Sequence, residues 1–496
     1  MAQAVITENI SVPQGMKTFI ILWVGEVISF IGSALTGFAL GAWVYQQTGS
    51  VTRFSLIVLC AQVPGIIFSP IVGAIVDRHD RRTIMILSNL GAGLSTVTIA
   101  LLYSQGLLRL WHICILAASI STFASFLRPA FSASVSLLVP KRHLGRASGM
   151  IQTGQATAQI TAPLLAGVLL LTIKLHGILI IDCLTYIPAL IAVLAVSIPN
   201  PIKTVDTTKK KPSLISDAIY GWKYVYALKG IFGLLLFFAC ANFAVTISNI
   251  LITPLILSFA NSAVYGTVLS VTGVGVLAGG LLMTVWGGPK HRIRGVFLYG
   301  IVQGLALIFQ GIRPNAVLIA ACLFCAAATA PIVNGSFVPI LQSKTTPEVQ
   351  GRVFAAVRLS SWWSVPVAYL LAGPLTDKVF EPLLMPDGLL ASTVGLVTGV
   401  GKGRGIGFLL MLLGVFMLTA TVRAYLYPRL RNVEEELPDV LPDVGGSKTV
   451  QPEAPASAPV SASVSESHDG ELELDSLSTD SMLVDESEAR AATSKA

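Results

Sequence analysis

Twelve apolar runs, each close to the thickness of a bilayer, constrain this chain more than any other feature. They lie at Thr18–Ala42, Phe54–Val76, Ile84–Ser104, Leu110–Phe131, Ala147–Ile173, Gly177–Ile198, Ile231–Leu257, Val264–Trp286, Gly295–Gly311, Ala316–Leu341, Leu359–Leu375 and Gly405–Tyr427. About 20 apolar residues in a helix cross the hydrocarbon core. Lipid offers the backbone no hydrogen-bond partner, so each run must bond within itself as a helix. Composition agrees: 53% of the 496 residues are hydrophobic and 12% charged, against about 45–50% and about 25% in soluble domains. A water-soluble enzyme of this length is excluded, and an all-α integral membrane protein is predicted. Residues 1–15 carry no basic stretch ahead of the first run, which predicts an uncleaved first span rather than a signal peptide.

The net charge of +7 is unevenly divided. Residues 432–496 hold 15 acids against Lys448, Arg490 and Lys495, leaving 30 basic and 11 acidic residues in 1–431. Alternate loops sort 22 Lys and Arg, including Lys17, Arg78, Lys141, Arg352 and Arg429, to one side and seven to the other. Basic residues stay cytoplasmic, so both termini are expected inside. The expected organisation is a cytoplasmic N-terminus (1–17), a six-helix bundle (18–198), a basic cytoplasmic linker (199–230), a second six-helix bundle (231–431) and an acidic tail (432–496). The tail is rich in Pro, Ser, Ala and Glu and lacks the apolar surface to offset its ordering entropy, so disorder is expected.

The two bundles repeat at an offset of 206. Gly73 recurs as Gly279, Gly145-Arg146 as Gly351-Arg352, and Leu164-Leu165-Ala166-Gly167 as Leu370-Leu371-Ala372-Gly373. Parallel duplicated bundles of this kind place a small-molecule site between them near mid-membrane.

Between spans two and three stands Gly73-Ala-Ile-Val-Asp77-Arg78-His79-Asp80-Arg81-Arg82. This resembles the signature of the major facilitator superfamily: Gly, three residues, Asp-Arg, two residues, then basic residues. The resemblance implies twelve transmembrane helices in two six-helix pseudo-symmetric halves. It also implies that Gly73, Asp77, Arg78, Arg81 and Arg82 form a conformational latch against the start of span eleven, near Ser360 and Ser361. The run from Phe38 to Ser50, Pro64-Gly65, Gly287-Gly288-Pro289-Lys290 and Thr346-Pro347-Glu348 resemble the bacterial branch that contains macrolide-efflux proteins and the enterobactin exporter. Pro163, Ala166 and Gly167 in span five resemble the family's antiporter motif, with two of its glycines replaced by alanine. Small residues beside a proline also suit plain close packing.

Polar side chains fall on helical stripes. Gln152, Gln155 and Gln159 share one face of span five; Asn242, Thr246, Asn249 and Thr253 share one of span seven; Glu26, Ser29, Ser33 and Thr36 share one of span one. Such faces turn toward other helices or a wet cavity, and these spans line the cavity in the resembled fold. Glu26 stands nine residues past Lys17, about 13 Å deep in a helix. A carboxyl at that depth can hold a proton near neutral pH, because desolvation disfavours its charged form. Glu26 is therefore the first candidate for proton coupling, and Asp182, expected nearer the outer face, the second. Arg128 is a candidate for an anionic substrate or for Asp77, and snorkelling is the ordinary alternative. Trp23, Phe30, Phe38, Trp43 and Phe243 beside these stripes suit a large amphiphile, while Trp362 and Trp363 read as interfacial anchors.

Cys322 and Cys325 lack companion ligands, so no metal is expected. Gly395–Lys402 fails the spacing of a phosphate loop. No cofactor and no nucleic acid are expected, and no nucleophile, base and orienting group converge as in an enzyme. The resemblance implies a secondary transporter of a bacterial inner membrane that exports an amphiphilic small molecule, exchanging it for protons. A monomer in the lipid bilayer is the expected state. Uptake or lysophospholipid flipping by the same fold, and a non-transporting scaffold acting through the acidic tail, are the rivals.

Overall fold

A computed structural model describes residues 15–140, 143–197, 226, 229–289, 291–343 and 364–436, all within the unit Met1–Pro442. Most of the linker, the tail beyond Glu436, Lys141, Arg142, Lys290 and residues 344–363 lie outside them. That last stretch includes Arg352, Arg358, Ser360, Ser361, Trp362 and Trp363.

The described residues contain long helices and no strand. The first six are α1 (Met16–Thr48), α2 (Val51–Arg78), α3 (Arg81–Ser104), α4 (Leu110–Leu138), α5 (Leu144–Thr172) and α6 (Lys174–Ala195). The second six are α7 (Lys229–Leu257), α8 (Ser262–Trp286), α9 (Arg292–Ile312), α10 (Ala316–Ser343), α11 (Ser364–Leu375) and α12 (Arg404–Leu426). Eleven are long and apolar enough to cross a membrane. The exception, α11, is described only from Ser364 and runs on through a π-helical turn, Thr376–Phe380, to Leu383.

Local chemistry sets the short connections. Gly49 closes α1 at φ +60°, a left-handed conformation that glycine adopts without a Cβ clash. Ser50 then caps α2 by accepting from the Arg53 N–H. Asp80 caps α3, accepting from the Arg82 N–H at 3.2 Å and the Thr83 hydroxyl at 2.9 Å. Each cap satisfies donors that a helix start leaves open.

The repeat read in the sequence is a repeat in packing. In the first half α1 packs on α5 and α6, α2 on α4, and α3 on α4 and α6. In the second half α7 packs on α11 and α12, α8 on α10, and α9 on α10 and α12. Between the halves α5 packs on α8 and α2 on α11, again one relation shifted by six helices. Small residues allow these close crossings. A Cβ on Gly414 would lie 2.6 Å from the Gly304 carbonyl oxygen where α9 meets α12. Leucines such as Leu94, Leu184 and Leu281 stay exposed on outward faces, as a multi-pass membrane protein requires.

Candidate functional site

One end of the bundle, the basic end, carries Lys17 and Arg78–Arg82; the other, the far end, carries the turns at Gly49 and at Thr172–Lys174. At the far end the halves are sealed. Ser262 donates to the Gly167 carbonyl at 3.1 Å and Ser270 to the Ile160 carbonyl at 2.6 Å, both joining α5 to α8. Gly167 and Gly373 each lie where a Cβ would strike the opposite half, at Ser262 and at Thr52 respectively. Leu164, Leu165, Leu370 and Leu371 are exposed, whereas Ala166 and Ala372 are buried. The duplicated Leu-Leu-Ala-Gly thus presents its small residues to one inter-half seam and its leucines away from it, twice. Pro163, whose carbonyl approaches Gly266, belongs to the same seam.

A second lock lies beside α2. Asp377, on the π-helical turn after α11, accepts from the Ser50 hydroxyl at 2.7 Å, the Val51 N–H at 3.1 Å and the Thr52 N–H at 2.9 Å. A carboxylate at a helix start is favoured by the free N–H groups and the helix dipole. One helical turn on, Glu381 accepts from the Gly403 N–H ahead of α12. Nearer the middle, Phe38 of α1 stacks on Tyr265 of α8 at 4.6 Å, and Tyr265 shares a 2.7 Å hydrogen bond with Thr253.

Toward the basic end the α5–α8 seam runs out. It reaches Ile160 and Gly273, whereas Gly149 and Gly145 face open space. Among the expected latch residues, Arg81 donates to the Ala133 carbonyl of α4, and Arg82 to the Val193 and Leu194 carbonyls of α6. These two arginines tie α3 to its own half; the expected latch partner, the start of span eleven near Ser360 and Ser361, lies outside the described residues. Arg78 is exposed. The surroundings of Gly73 and the side chain of Asp77 lie outside what is described.

Under the far-end seal is a chamber with two lobes. The upper lobe, about 600 Å³, is lined by Phe38, Gln62, Arg128, Asp182 and Tyr265 among others. The lower, about 410 Å³, is lined by Trp23, Glu26, Phe30, Gln62, Arg128 and Gln155 among others. Ser33, Gln62, Arg128 and Tyr186 border both lobes. Helices of the first half supply nearly all of this lining, with Thr253 and Tyr265 from the second.

The acids sit differently from the expectation. α1 has 33 residues, roughly 50 Å at 1.5 Å per residue, so its middle is Gly32 and not Glu26. Glu26 lies ten residues from the basic-end start of α1, half-buried, and accepts from Asn89 Nδ2 at 3.1 Å. Asp182 is 1% exposed and bonds Ser33 (3.4 Å), Thr96 (3.3 Å) and Thr185 (3.5 Å). Asp182 is therefore level with the middle of α1, not near the outer face. The expected span began at Gly177, five residues before Asp182, whereas α6 begins at Lys174, eight residues before it. Neither acid forms an ion pair among the described residues.

Of the polar stripes, Ser29, Ser33 and Thr36 reach the chamber wall. Gln155 lines the lower lobe, but Gln152 and Gln159 are exposed and line neither lobe. Asn242, Thr246 and Asn249 also line neither lobe; Thr253, at the far end of their stripe, does. The halves part toward the basic end, so a wall built from α7 ends at Thr253. Trp43 packs edge-on to Tyr103 inside the first half. Sequence reasoning missed Gln62, Asn89 and Tyr186. Gln62 stands alone in an apolar run, while Asn89 follows Ser88 and Tyr186 follows Thr185; polar groups in lipid were the available signal.

The comparisons agree with this architecture. The model of the Major Facilitator Superfamily matches residues 22–368. Macrolide efflux protein A of Streptococcus pyogenes is 29% identical over 369 residues, covering 73% of this chain and 90% of the relative. Macrolide efflux protein A of Enterococcus faecalis is 30% identical over 301 residues, covering 59% and 91%. Among solved structures, a bacterial homologue of the human lysosomal transporter Spinster superposes with a TM-score of 0.64 at 14% identity, covering 87% of this chain and all of that one. The nucleoside transporter NupG gives 0.61 at 13%, covering 83% and 100%. At those identities the structures speak for the fold alone. The chain is a multi-pass membrane transporter, not an enzyme, and it belongs to the Major Facilitator Superfamily.

Proposed function

We propose that this protein exports an amphiphilic small molecule from a bacterial cell in exchange for protons. It works as a monomer in the inner membrane, with the basic end and both termini cytoplasmic. The single observation that carries the proton step is the company kept by the two chamber acids. Asn89 can donate to a Glu26 carboxylate through its amide N–H or, turned over, accept from a carboxyl O–H. The hydroxyls around Asp182 can likewise donate or accept. Each acid thus keeps a hydrogen-bond partner in both protonation states, and among the described residues no ion pair pins either as a carboxylate. Permanent pairing with Lys or Arg would oppose such exchange. The efflux relatives support the direction, and the excess of basic loops at one end supports the orientation.

In this reading the described conformation takes cargo from the basic end. Protonation from the far side and release of cargo accompany opening of the far-end seal as the halves rock. The experiment is transport of an amphiphilic dye in proteoliposomes under an imposed pH gradient. Glu26→Gln is expected to abolish gradient-driven transport while dye exchange without a gradient persists, and Asp182→Asn to slow both. Wild-type gradient-driven rates in Glu26→Gln would remove Glu26 from the coupling.

A further inference from the structure

We propose that Arg128 makes the lower lobe a recognition site for an anionic group, so that the cargo is an amphiphile bearing a carboxylate, phosphate or sulfonate. This rests on the chamber being the site that cargo occupies. Arg128 lies ten residues from the basic-end terminus of α4, about 15 Å along the helix. An arginine at that depth is expensive without a purpose. Three ordinary explanations fail on geometry. It forms no ion pair with Glu26 or Asp182, whose oxygens are taken by an amide and by hydroxyls. It does not snorkel, since its guanidinium lies over the Phe30 ring at 5.6 Å, and Phe30 stands four residues farther from the basic end of α1 than Glu26 does. Nor does a hydrogen bond to a described backbone carbonyl hold it, as one holds Arg81 and Arg82.

Arg128 lines both lobes beside Phe30. A guanidinium carries five N–H donors in a fork geometry that matches carboxylate and phosphate oxygens. Gln62 and Gln155 line the lower lobe with it and supply further amide donors. Trp23, Leu127 and Phe131 complete its wall, a surface for the apolar body of the same molecule.

The test uses the purified full-length protein and three matched probes: 11-(dansylamino)undecanoate, its methyl ester, and the corresponding trimethylammonium compound. Wild type is expected to bind the carboxylate at least about tenfold more tightly than the ester. Arg128→Gln is expected to bring that ratio to about one, and Arg128→Lys, which keeps charge without the fork, to leave it between. Melting temperature reports that each variant is folded, and if the Gln variant does not fold, the Lys variant decides. Equal binding of the probes by wild type, binding of none, or a preference that survives Arg128→Gln would overturn the proposal. Displacement of the bound carboxylate by lysophosphatidate alone assigns the anion to lipid. Displacement by a soluble aryl carboxylate alone assigns it to a free metabolite, and displacement by neither overturns the proposal. Export reads out separately, as gradient-driven flux of the undecanoate probe in proteoliposomes. Loss of that flux with the carboxylate preference intact faults the coupling and supports Arg128.

Discussion

The two ends of this bundle are held by different chemistry. The far end is closed by backbone-close packing along the α5–α8 seam, by the Phe38–Tyr265 stack, and by Asp377 on the start of α2. At the basic end, Arg81 and Arg82 bond carbonyls of their own half, and Gly145 and Gly149 of α5 face open space. A carrier that alternates must hold each closure by interactions weak enough to be exchanged. The far end meets this with two short seams, one carboxylate and a small apolar contact in which Tyr45, Val51 and Phe54 of the first half join the core of the second.

The largest break in the comparison should come from the seam itself. In Gly266→Val the new Cβ would meet the Pro163 backbone. Overpacking of that kind costs about 1–3 kcal/mol, which shifts the closed-to-open ratio at the far end roughly fivefold to 150-fold. Labelling of a cysteine at Thr253 by an impermeant reagent added from the far side should speed up accordingly, and unchanged labelling would remove α5–α8 packing as the seal. Asp377→Asn comes next. It keeps shape but loses the charge that three donors share, and helix caps are worth about 0.5–2 kcal/mol. The same labelling rate should rise about twofold to thirtyfold, with no change in accessibility near Gly149. Phe38→Ala removes a stack worth about 0.5–1.5 kcal/mol and should raise it severalfold.

The smallest effect concerns Glu381. Burial raises its pKa above the ordinary 4.5, against hydrogen bonds from Gly403, Gly405 and Ile406 that lower it, and Asp377 raises it further. The folded state therefore binds this proton more tightly than the unfolded state. The resulting stabilisation is present below the ordinary value and is lost as pH rises from there through the raised one. Thermal melts of wild type should show that decline just above pH 4.5, and Glu381→Gln should flatten it.

Much of the architecture was legible in the chain. The apolar runs counted the helices because bilayer thickness fixes their length. The Leu-Leu-Ala-Gly repeat marked both inter-half seams, since only small residues let those backbones meet. The chamber was legible in part. Glu26, Ser33, Gln155 and Arg128 line it, whereas Asn242, Thr246 and Asn249 line neither lobe and only Thr253 of their stripe reaches it. The depth of Asp182 was misjudged, since α6 begins at Lys174, ahead of the apolar run Gly177–Ile198, and Asp182 reaches Ser33 at the middle of α1. The partnership of Asp377 with Val51 spans 326 positions, and no local pattern records it.

The sequence alone determined the number of helices, their duplication and the type of solvent around them. Those follow from short-range hydrophobicity and from the need of each backbone to bond within itself in lipid. Only the tertiary structure decided which polar side chains share a chamber and which end is shut. Helix tilt, overshoot and rotation are set by contacts with remote helices, and a single turn of rotation or shift changes every partner a side chain can reach.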